Sequence, residues 1–452
     1  MHTLLLPVSL VARMLGGGDC IAPPAAQVTA VESILTATNS GRPGSIAAAV
    51  AASWSGADTS AAVRAQALSQ LGVEHWKSRG WRIHGVCVAS PTTVFALGEN
   101  TISLERDSLN FRFDTAGRTQ SLLVYTGVDV PIDPRDTSSD VARARALARY
   151  LDRLRNAGLF SGSVLVKRGT TTLFADSAGV ELRPGGRPIG LDSRINIASS
   201  GKLFTATSIM QLVSSGVISL DDTLGKFYAD SELSAPVRSV RLRYILAHTS
   251  GITDRRDTLA SKPGERFVYS NLEFVILGDV LERASGERWE DYFAEHIFRP
   301  AGMTRTGRAV LTRPVNYLAM GYIPQFSDTG LVLAANPLLH IWPGNTAGAL
   351  FSTTNDLARF AEAWRAGVLL PRRWVDSMRT LHNTTKGSEY GYGVMLWRAP
   401  RIWGHAGDLP GTDADVEIIE PSGVISVVLS NMSGVNNPVR RRIARLWGVV
   451  AR

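Results

Sequence analysis

Ile197-Ala198-Ser199-Ser200-Gly201-Lys202-Leu203-Phe204 is the stretch on which the reading of this chain turns. It holds a Ser-x-x-Lys. The residues that follow repeat at helical spacing through Leu203, Ala206, Met210 and Val213. Three positions apart at a helix start, Ser199 and Lys202 share one face. The same helix start offers free N–H groups to a developing negative charge. A serine hydroxyl is a weak nucleophile without an adjacent base. A buried lysine can lose its proton and act as that base, whereas an arginine cannot. The basic residues of this chain are overwhelmingly Arg. Lys occurs only at 77, 167, 202, 226, 262 and 386. A deprotonatable amine thus stands where such chemistry requires one.

A lone Ser-x-x-Lys arises readily by chance, so the companions and their order carry the argument. The first is Tyr269-Ser270-Asn271, on a turn ahead of the apolar helix expected at Leu272–Ala284. A phenol beside a lysine relays protons, and a neighbouring amide orients the lysine or a substrate carbonyl. Taken alone, the segment reads equally as a helix cap with a packed Tyr. The second is His405-Ala406-Gly407, ahead of a C-terminal hairpin and therefore expected on a strand beside a cleft. Gly407 permits a close backbone approach. The N–H groups of Ser199 and Asp408 are the candidates for an oxyanion hole.

These three elements in this order resemble the serine β-lactamase/penicillin-binding-protein superfamily, whose Ser-x-x-Lys series is a known catalytic motif. Tyr-x-Asn and His-x-Gly are similar to the branch of class C β-lactamases, DD-carboxypeptidases, D-aminopeptidases and family VIII esterases. Leu246–Ile252, with its His-Thr-Ser-Gly, and the Gly-rich turn and helix start of Thr346–Leu357 fit as well. The resemblance runs from about Leu147 to the C-terminus. It implies Ser199, Lys202 and Tyr269 as catalytic residues, with either Lys202 or Tyr269 as the base. Asn271, His405 and Gly407 become substrate-binding residues. It implies acyl-enzyme chemistry on an ester or amide, without metal or cofactor. Class C β-lactamases carry Lys-Thr-Gly where this chain has His405-Ala406-Gly407. A fixed positive charge is thereby replaced by a group that is neutral or charged according to its surroundings. That ranks an esterase or peptidase above a true β-lactamase or penicillin-binding protein. A catalytically inactive binding protein on the same scaffold is the rival of another class. The Gly-x-Ser-x-Gly elbow of the α/β-hydrolases is absent from the chain.

Working outward, the expected fold class is α/β (α+β). The larger part is a β-lactamase/transpeptidase-like mixed domain over 141–452. Its antiparallel sheet is flanked by terminal helices and joined to a helical subdomain. The sheet is expected from Ser163–Arg168 and Thr171–Ser177 near its start, with Asp415–Glu420 and Val424–Ser430 near its end. Ser139 or Asp140 is expected to cap a helix bearing Val141, Leu147, Leu151 and Leu154 on one face. The Pro- and Asp-rich stretch at 134–140 reads as a linker. Ahead of it, residues 27–133 show helices at Val28–Thr38 and Ala61–Leu71. Four strands follow, at Arg82–Ala89, Thr92–Leu97, Ile102–Phe113 and Gln120–Tyr125. Their order is similar to the small cone-shaped domains of the nuclear-transport-factor/cystatin type, and no chemistry is expected there.

Residues 1–26 read as a signal peptide, with an apolar run from Leu4 to Val11 and a small-residue neighbourhood at Pro24-Ala25-Ala26. Export to the periplasm or medium is the expectation. No later run reaches the length of a membrane span, so none is expected after removal of the signal. The formal net charge is +8 over 452 residues, but Arg is scattered rather than striped with aromatics. A nucleic-acid partner is not expected. Two cysteines exclude a disulfide framework or a cysteine-built zinc site. The expected partner is a small-molecule or peptide acyl substrate, and the oligomeric state is left open.

Overall fold

A computed structural model describes residues 23–56, 60–129, 132–309, 315–382, 389–397 and 401–448. Most of the expected signal segment, residues 1–22, lies outside the described residues. No described helix is long and apolar enough to cross a membrane. The chain divides into two compact units.

The first unit takes residues up to Phe160, together with Ile323–Ala334 and Asn437–Arg445. Helices α1 (Ala25–Ser40), α2 (Pro43–Ser53) and α3 (Ala61–Ser78) precede an antiparallel meander. Its strands are β1 (Trp81–Ser90), β2 (Thr93–Asn100), β3 (Arg106–Phe113) and β4 (Thr119–Asp129), paired in sequence order. Strand β3 begins four residues later than the expected Ile102. Asn100 Oδ1 accepts the N–H groups of Ile102 and Ser103, both at 2.9 Å, and turns the chain there. Such a side-chain turn competes with strand pairing. Val31, Ile34, Leu71, Val94, Leu109 and Phe111 form the unit's dry core. Helix α4 spans Asp140–Asn156, and Ser139 caps it by accepting the Ala142 N–H at 3.1 Å. Leu147, Leu151 and Leu154 are buried as expected, but Val141 is 60 % exposed. It sits in the first turn, off the stripe that Tyr150 and Ala146 complete.

The second unit covers Ser161–Tyr322 and Ala335–Asn436, with the C-terminal residues after Arg445. Its sheet has six antiparallel strands in the order β11-β12-β13-β14-β5-β6. Here β5 is Gly162–Arg168, β6 Thr171–Ala178, β11 Met395–Trp397, β12 Ile402–Leu409, β13 Thr412–Ile419 and β14 Val424–Ser430. Strands from both ends of the unit therefore meet at β14–β5, with Val427 opposite Leu165. Short strands β7 (Ile195–Asn196) and β10 (Phe351–Ser352) pair separately, and β8 (Gly321–Ser327) and β9 (Gly330–Asn336) form a hairpin most of which belongs to the first unit. The helices that matter for the site are α5 (Lys202–Ser214), α6 (Asn271–Ser285), α7 (Leu338–Ile341) and α8 (Thr354–Arg365). A last helix, α9, runs over Asn436–Ile443 and belongs to the first unit from Asn437 on. Eleven of the thirteen residues of α5 are buried, so it is a central element rather than an amphipathic cover. Phe204 meets Phe293, Phe298 and Phe360 edge-to-face, which fixes α5 in the unit's core. The fold is the mixed α/β architecture with antiparallel sheets that the sequence led us to expect.

Candidate active site

Ser199 stands in a 3-10 turn, Ala198–Gly201, that leads directly into α5. Several bonds hold this turn from below. The Ile197 N–H donates to Leu350 O at 2.8 Å, and Ala198 N–H to Asn196 Oδ1 at 2.9 Å. Ser200 Oγ donates toward the carbonyls of His405 and Ala414, both at 3.3 Å, tying the turn to β12 and β13. Ala198 carries φ +45°, a left-handed conformation that an L-residue adopts only when its surroundings enforce it.

Lys202 is fully buried. Its Nζ lies 3.1 Å from Ser199 Oγ, 2.6 Å from Asn271 Oδ1 and 2.7 Å from the carbonyl of Ala347. Burial pulls its pKa down from 10.5 to about 7. The three oxygens around Nζ accommodate either protonation state, and with a pKa of about 7 the neutral amine is populated at neutral pH. In that form two amine hydrogens go to the two carbonyl-type acceptors, and the lone pair is left facing the serine hydroxyl. The carbonyl of Ala347 is presented by a turn in which Asn345 and Gly348 exchange backbone hydrogen bonds at 2.9 Å. Thr205 Oγ1 donates to Thr346 O at 2.6 Å, and so fastens this turn to α5.

Tyr269 lies just before α6, with its hydroxyl hydrogen-bonded to Ser199. Burial of that hydroxyl, opposed by the bond to Ser199 and reinforced by the charge of Asp408, pushes its pKa up to about 12. It stays protonated at neutral pH. Ser270 is the N-cap residue of α6 but makes no side-chain cap bond, and Asn271 spends its carbonyl oxygen on Lys202. The cap reading of this segment is therefore not the one the structure adopts.

Gly407 sits on β12 directly above the Ser199 turn. A Cβ built on it would stand 2.7 Å from the nitrogens of both Ser199 and Ser200. The strand that carries the Asp408 N–H thus passes over the Ser199 N–H. The structure treats His405 differently from the expectation that it lines the cleft. Its ring is fully buried. Its Nε2 is 3.0 Å from the Tyr390 hydroxyl and its Nδ1 2.5 Å from Ala406 O. A neutral ring satisfies both contacts, donating from Nδ1 and accepting at Nε2. Burial, with the charge of Lys202 as a second cause, lowers its pKa to about 3. The ring approaches the reacting groups only from behind Tyr269, at 6.3 Å between ring centroids. Strand parity accounts for this. Consecutive side chains alternate across a sheet, and His405 points to the same face as Gly407, into the protein.

Sequence reasoning assigned no role to three further groups. His248, in the His-Thr-Ser-Gly segment, is fully buried at φ +55° and hydrogen-bonded to the Glu273 carboxyl. Its ring lies 4.5 Å from that of Tyr269 and 4.8 Å from that of Tyr390. Burial holds its pKa well below the ordinary value, and raises that of Glu273 to about 8. The third group is Trp342, which lines a cavity of about 180 Å³ beside Ser199 together with Asn271, Asn345, Gly348 and Leu409. The His-Thr-Ser-Gly stretch was the available signal for His248. Nothing in the sequence near Trp342 distinguishes it from an ordinary core aromatic.

With this geometry in hand, comparison with known proteins is direct. The family model Beta-lactamase matches residues 127–451. The chain belongs to the beta-lactamase family. It is a serine hydrolase of this β-lactamase-related superfamily. Penicillin-binding protein 4* of Bacillus subtilis is 27 % identical over 308 residues, covering 60 % of this chain and 67 % of that protein. The D-alanyl-D-alanine-carboxypeptidase/endopeptidase AmpH of Escherichia coli is 27 % identical over 56 % of this chain and 68 % of its own length. The crystal structure of a penicillin-binding protein from Bacillus halodurans superposes with a TM-score of 0.59 at 27 % identity, covering 66 % of this chain and 99 % of that one. Among the described residues lining the cavity beside Ser199 none is basic, and the ring of His405 is buried away from it.

Proposed function

We propose that this chain hydrolyses esters or amides through an acyl-enzyme on Ser199. One observation carries the reading: Lys202 Nζ lies 3.1 Å from Ser199 Oγ while two carbonyl-type oxygens occupy its other hydrogen-bonding directions. In acylation Ser199 Oγ bonds to the substrate carbonyl carbon and passes its proton to Lys202. The bond to the leaving group then breaks, and the leaving oxygen or nitrogen takes a proton by way of Tyr269. Water releases the acyl group in the reverse sense. The two pKa values favour Lys202 over Tyr269 as the base, because a phenol at about 12 holds its proton at pH 7. The N–H groups of Ser199 and Asp408 receive the oxyanion. Asn271, with its oxygen committed to Lys202, has its amide hydrogens for a substrate carbonyl. The buried ring of His405 supports Tyr390 and Tyr269 rather than touching substrate. The apolar N-terminal run supports action outside the cytoplasm.

A fluorophosphonate probe and fluorescent penicillin test this on the wild type and on Ser199→Ala. Labelling of the wild type by the phosphonate, lost in Ser199→Ala, is the expected result. Labelling by penicillin as well would extend the reading toward a penicillin-binding protein. Absence of labelling by both probes would make the chain a binding protein on an enzyme scaffold.

A further inference from the structure

Tyr269 has to be held from outside its own segment. Residues 266–270 form neither helix nor strand, so their backbone N–H groups need partners elsewhere in the chain. The Tyr269 side chain is 38 % exposed, so packing on its open side does not fix it, yet Lys202 Nζ stands only 4.9 Å from its ring centroid. His248 supplies the missing anchorage. Its carbonyl accepts the Val268 N–H at 2.9 Å, and its ring Nδ1 accepts the Ser270 N–H at 3.3 Å. The residues on both sides of Tyr269 thus hang on one histidine. Between these two bonds the His248 ring lies against the Tyr269 ring, 4.5 Å between centroids.

His248 is itself fixed on every side. Phe274 and Tyr390 close on the imidazole at 5.1 and 4.8 Å between centroids. The residue follows the helical turn Leu242–Leu246 and carries φ +55°. A side chain adopts that conformation at a cost, and such outliers collect where function demands placement. Glu273, in the first turn of α6, bonds to Nδ1 through Oε2 and accepts the Ser250 N–H at Oε1, 3.3 Å away. A ring nitrogen that accepts from Ser270 carries no hydrogen of its own, so the Glu273 carboxyl is the donor in that bond. The start of α6 therefore governs both groups that serve Ser199. Asn271 holds the Lys202 amine, and Glu273, two residues on, holds the histidine that frames Tyr269.

We propose that His248, locked in place by Glu273, is a positioning residue that aims the Tyr269 hydroxyl at the leaving group. This rests on the acyl-enzyme reading above, and within it on Tyr269 as the route by which the departing oxygen or nitrogen regains its proton. His248 touches no substrate atom in this role and transfers no proton. Its effect on the rate therefore follows how much the departing group needs the proton that Tyr269 delivers. An ethoxide needs it in order to leave. A p-nitrophenoxide is stable as the anion and does not.

Ethyl and p-nitrophenyl phenylacetate test this on the full chain. Both give the same acyl-enzyme, each turnover consumes one water, and kcat/KM reports the steps up to release of the alcohol or phenol. The readout is the ratio of kcat/KM for the p-nitrophenyl ester to that for the ethyl ester within each protein. His248→Ala should cost the ethyl ester about 100-fold and the p-nitrophenyl ester less than about tenfold, so the ratio rises by about tenfold or more. His248→Gly removes the same groups and relieves the left-handed backbone, so it reads the ratio where the Ala variant fails to fold. His248→Asn should recover most of the ethyl-ester loss, because Asn tolerates that backbone and its Oδ1 stands where Nδ1 stood. Tyr269→Phe should raise the ratio by itself, and adding His248→Ala to it should cost less than about threefold more, since a residue that acts through another is not additive with it. An unchanged ratio in the Ala and Gly variants, or an undiminished cost of His248→Ala in the Tyr269→Phe background, would overturn the proposal and leave the acyl-enzyme reading intact. An unchanged ratio in Tyr269→Phe would remove the proton route through Tyr269 and the proposal with it. If the wild type hydrolyses neither ester and Ser199 takes no phosphonate, the acyl-enzyme reading falls as well.

Discussion

Replacing Lys202 by Met should inactivate the protein and change its stability in a way that depends on pH. A lysine whose pKa falls from 10.5 to about 7 on folding penalises the folded state by roughly 5 kcal/mol at pH 7 and below. Met fills nearly the same volume and removes that penalty. It also leaves Asn271 Oδ1 and the Ala347 carbonyl without their donor. Each buried orphan acceptor costs about 1–3 kcal/mol. The net change at pH 7 is therefore small, between a loss of roughly 1 kcal/mol and a gain of roughly 3 kcal/mol. Its pH dependence is the sharper quantity. Between pH 7 and 10.5 the unfolded lysine keeps its proton while the folded one has lost it. The unfolded state then binds more protons, so wild-type stability rises with pH across this window. Lys202→Met lacks that contribution. The stability of the variant relative to the wild type should be constant well below pH 7 and should fall by about 2.3 kcal/mol between pH 7 and 9. Every titration that the two proteins share cancels in this difference. Urea unfolding followed by tryptophan fluorescence at pH 6, 7, 8 and 9 measures it. A relative stability that stays flat or rises above pH 7 would refute the assignment of a neutral buried amine.

Three other outcomes follow from the same geometry. With a neutral ester, kcat/KM should rise with pH through about 7, as Lys202 loses its proton, and level off well before Tyr269 titrates. Lys202→Arg should lose about 100-fold or more in kcat at every pH, because the guanidinium cannot accept the serine proton. Gly407→Ala places a methyl group 2.7 Å from the nitrogens of Ser199 and Ser200. The strand must move off the serine turn, so kcat should fall by about 100-fold, the loss typical of a missing oxyanion donor. Circular dichroism should stay unchanged, and an unchanged kcat would place the oxyanion elsewhere.

What the sequence conveyed depended on how local the determining geometry is. Ser199 and Lys202 are three residues apart at a helix start, so their proximity follows from helix geometry alone. The sheet strands at 162–168 and 424–430 were legible from β-branched runs, although their pairing joins residues more than 250 positions apart. The orientation of His405 was not legible. It depends on which face of β12 meets the Ser199 turn, and so on a register set by β13. Helix α2 escaped notice because an Ala-rich segment has little hydrophobic contrast between its faces, and only Ile46, Ala49 and Val50 are buried there. Its one local signal was Pro43 at the first helical position. Trp342 follows a helix of four residues, too short for periodicity to reveal.

The site's electrostatics form one coupled arrangement rather than a set of separate shifts. Lys202, His248 and His405 are each fully buried, and each is pushed toward its neutral form first by loss of water. A charge on Lys202 further disfavours a charge on either histidine. Tyr390 lies between the two imidazoles, in ring contact with His248 and hydrogen-bonded to His405. Protonation at one position therefore raises its cost at the others, and none of these three groups is a permanent cation. On the proposed mechanism an oxyanion formed on the substrate is held by fixed dipoles. The N–H groups of the Ser199 turn and of β12, with the start of α5 behind them, supply these. Dipoles of this kind serve only where the backbone holds them rigidly. Ala198 at φ +45° and the close approach of Gly407 to the serine's nitrogen are the local signs of that constraint.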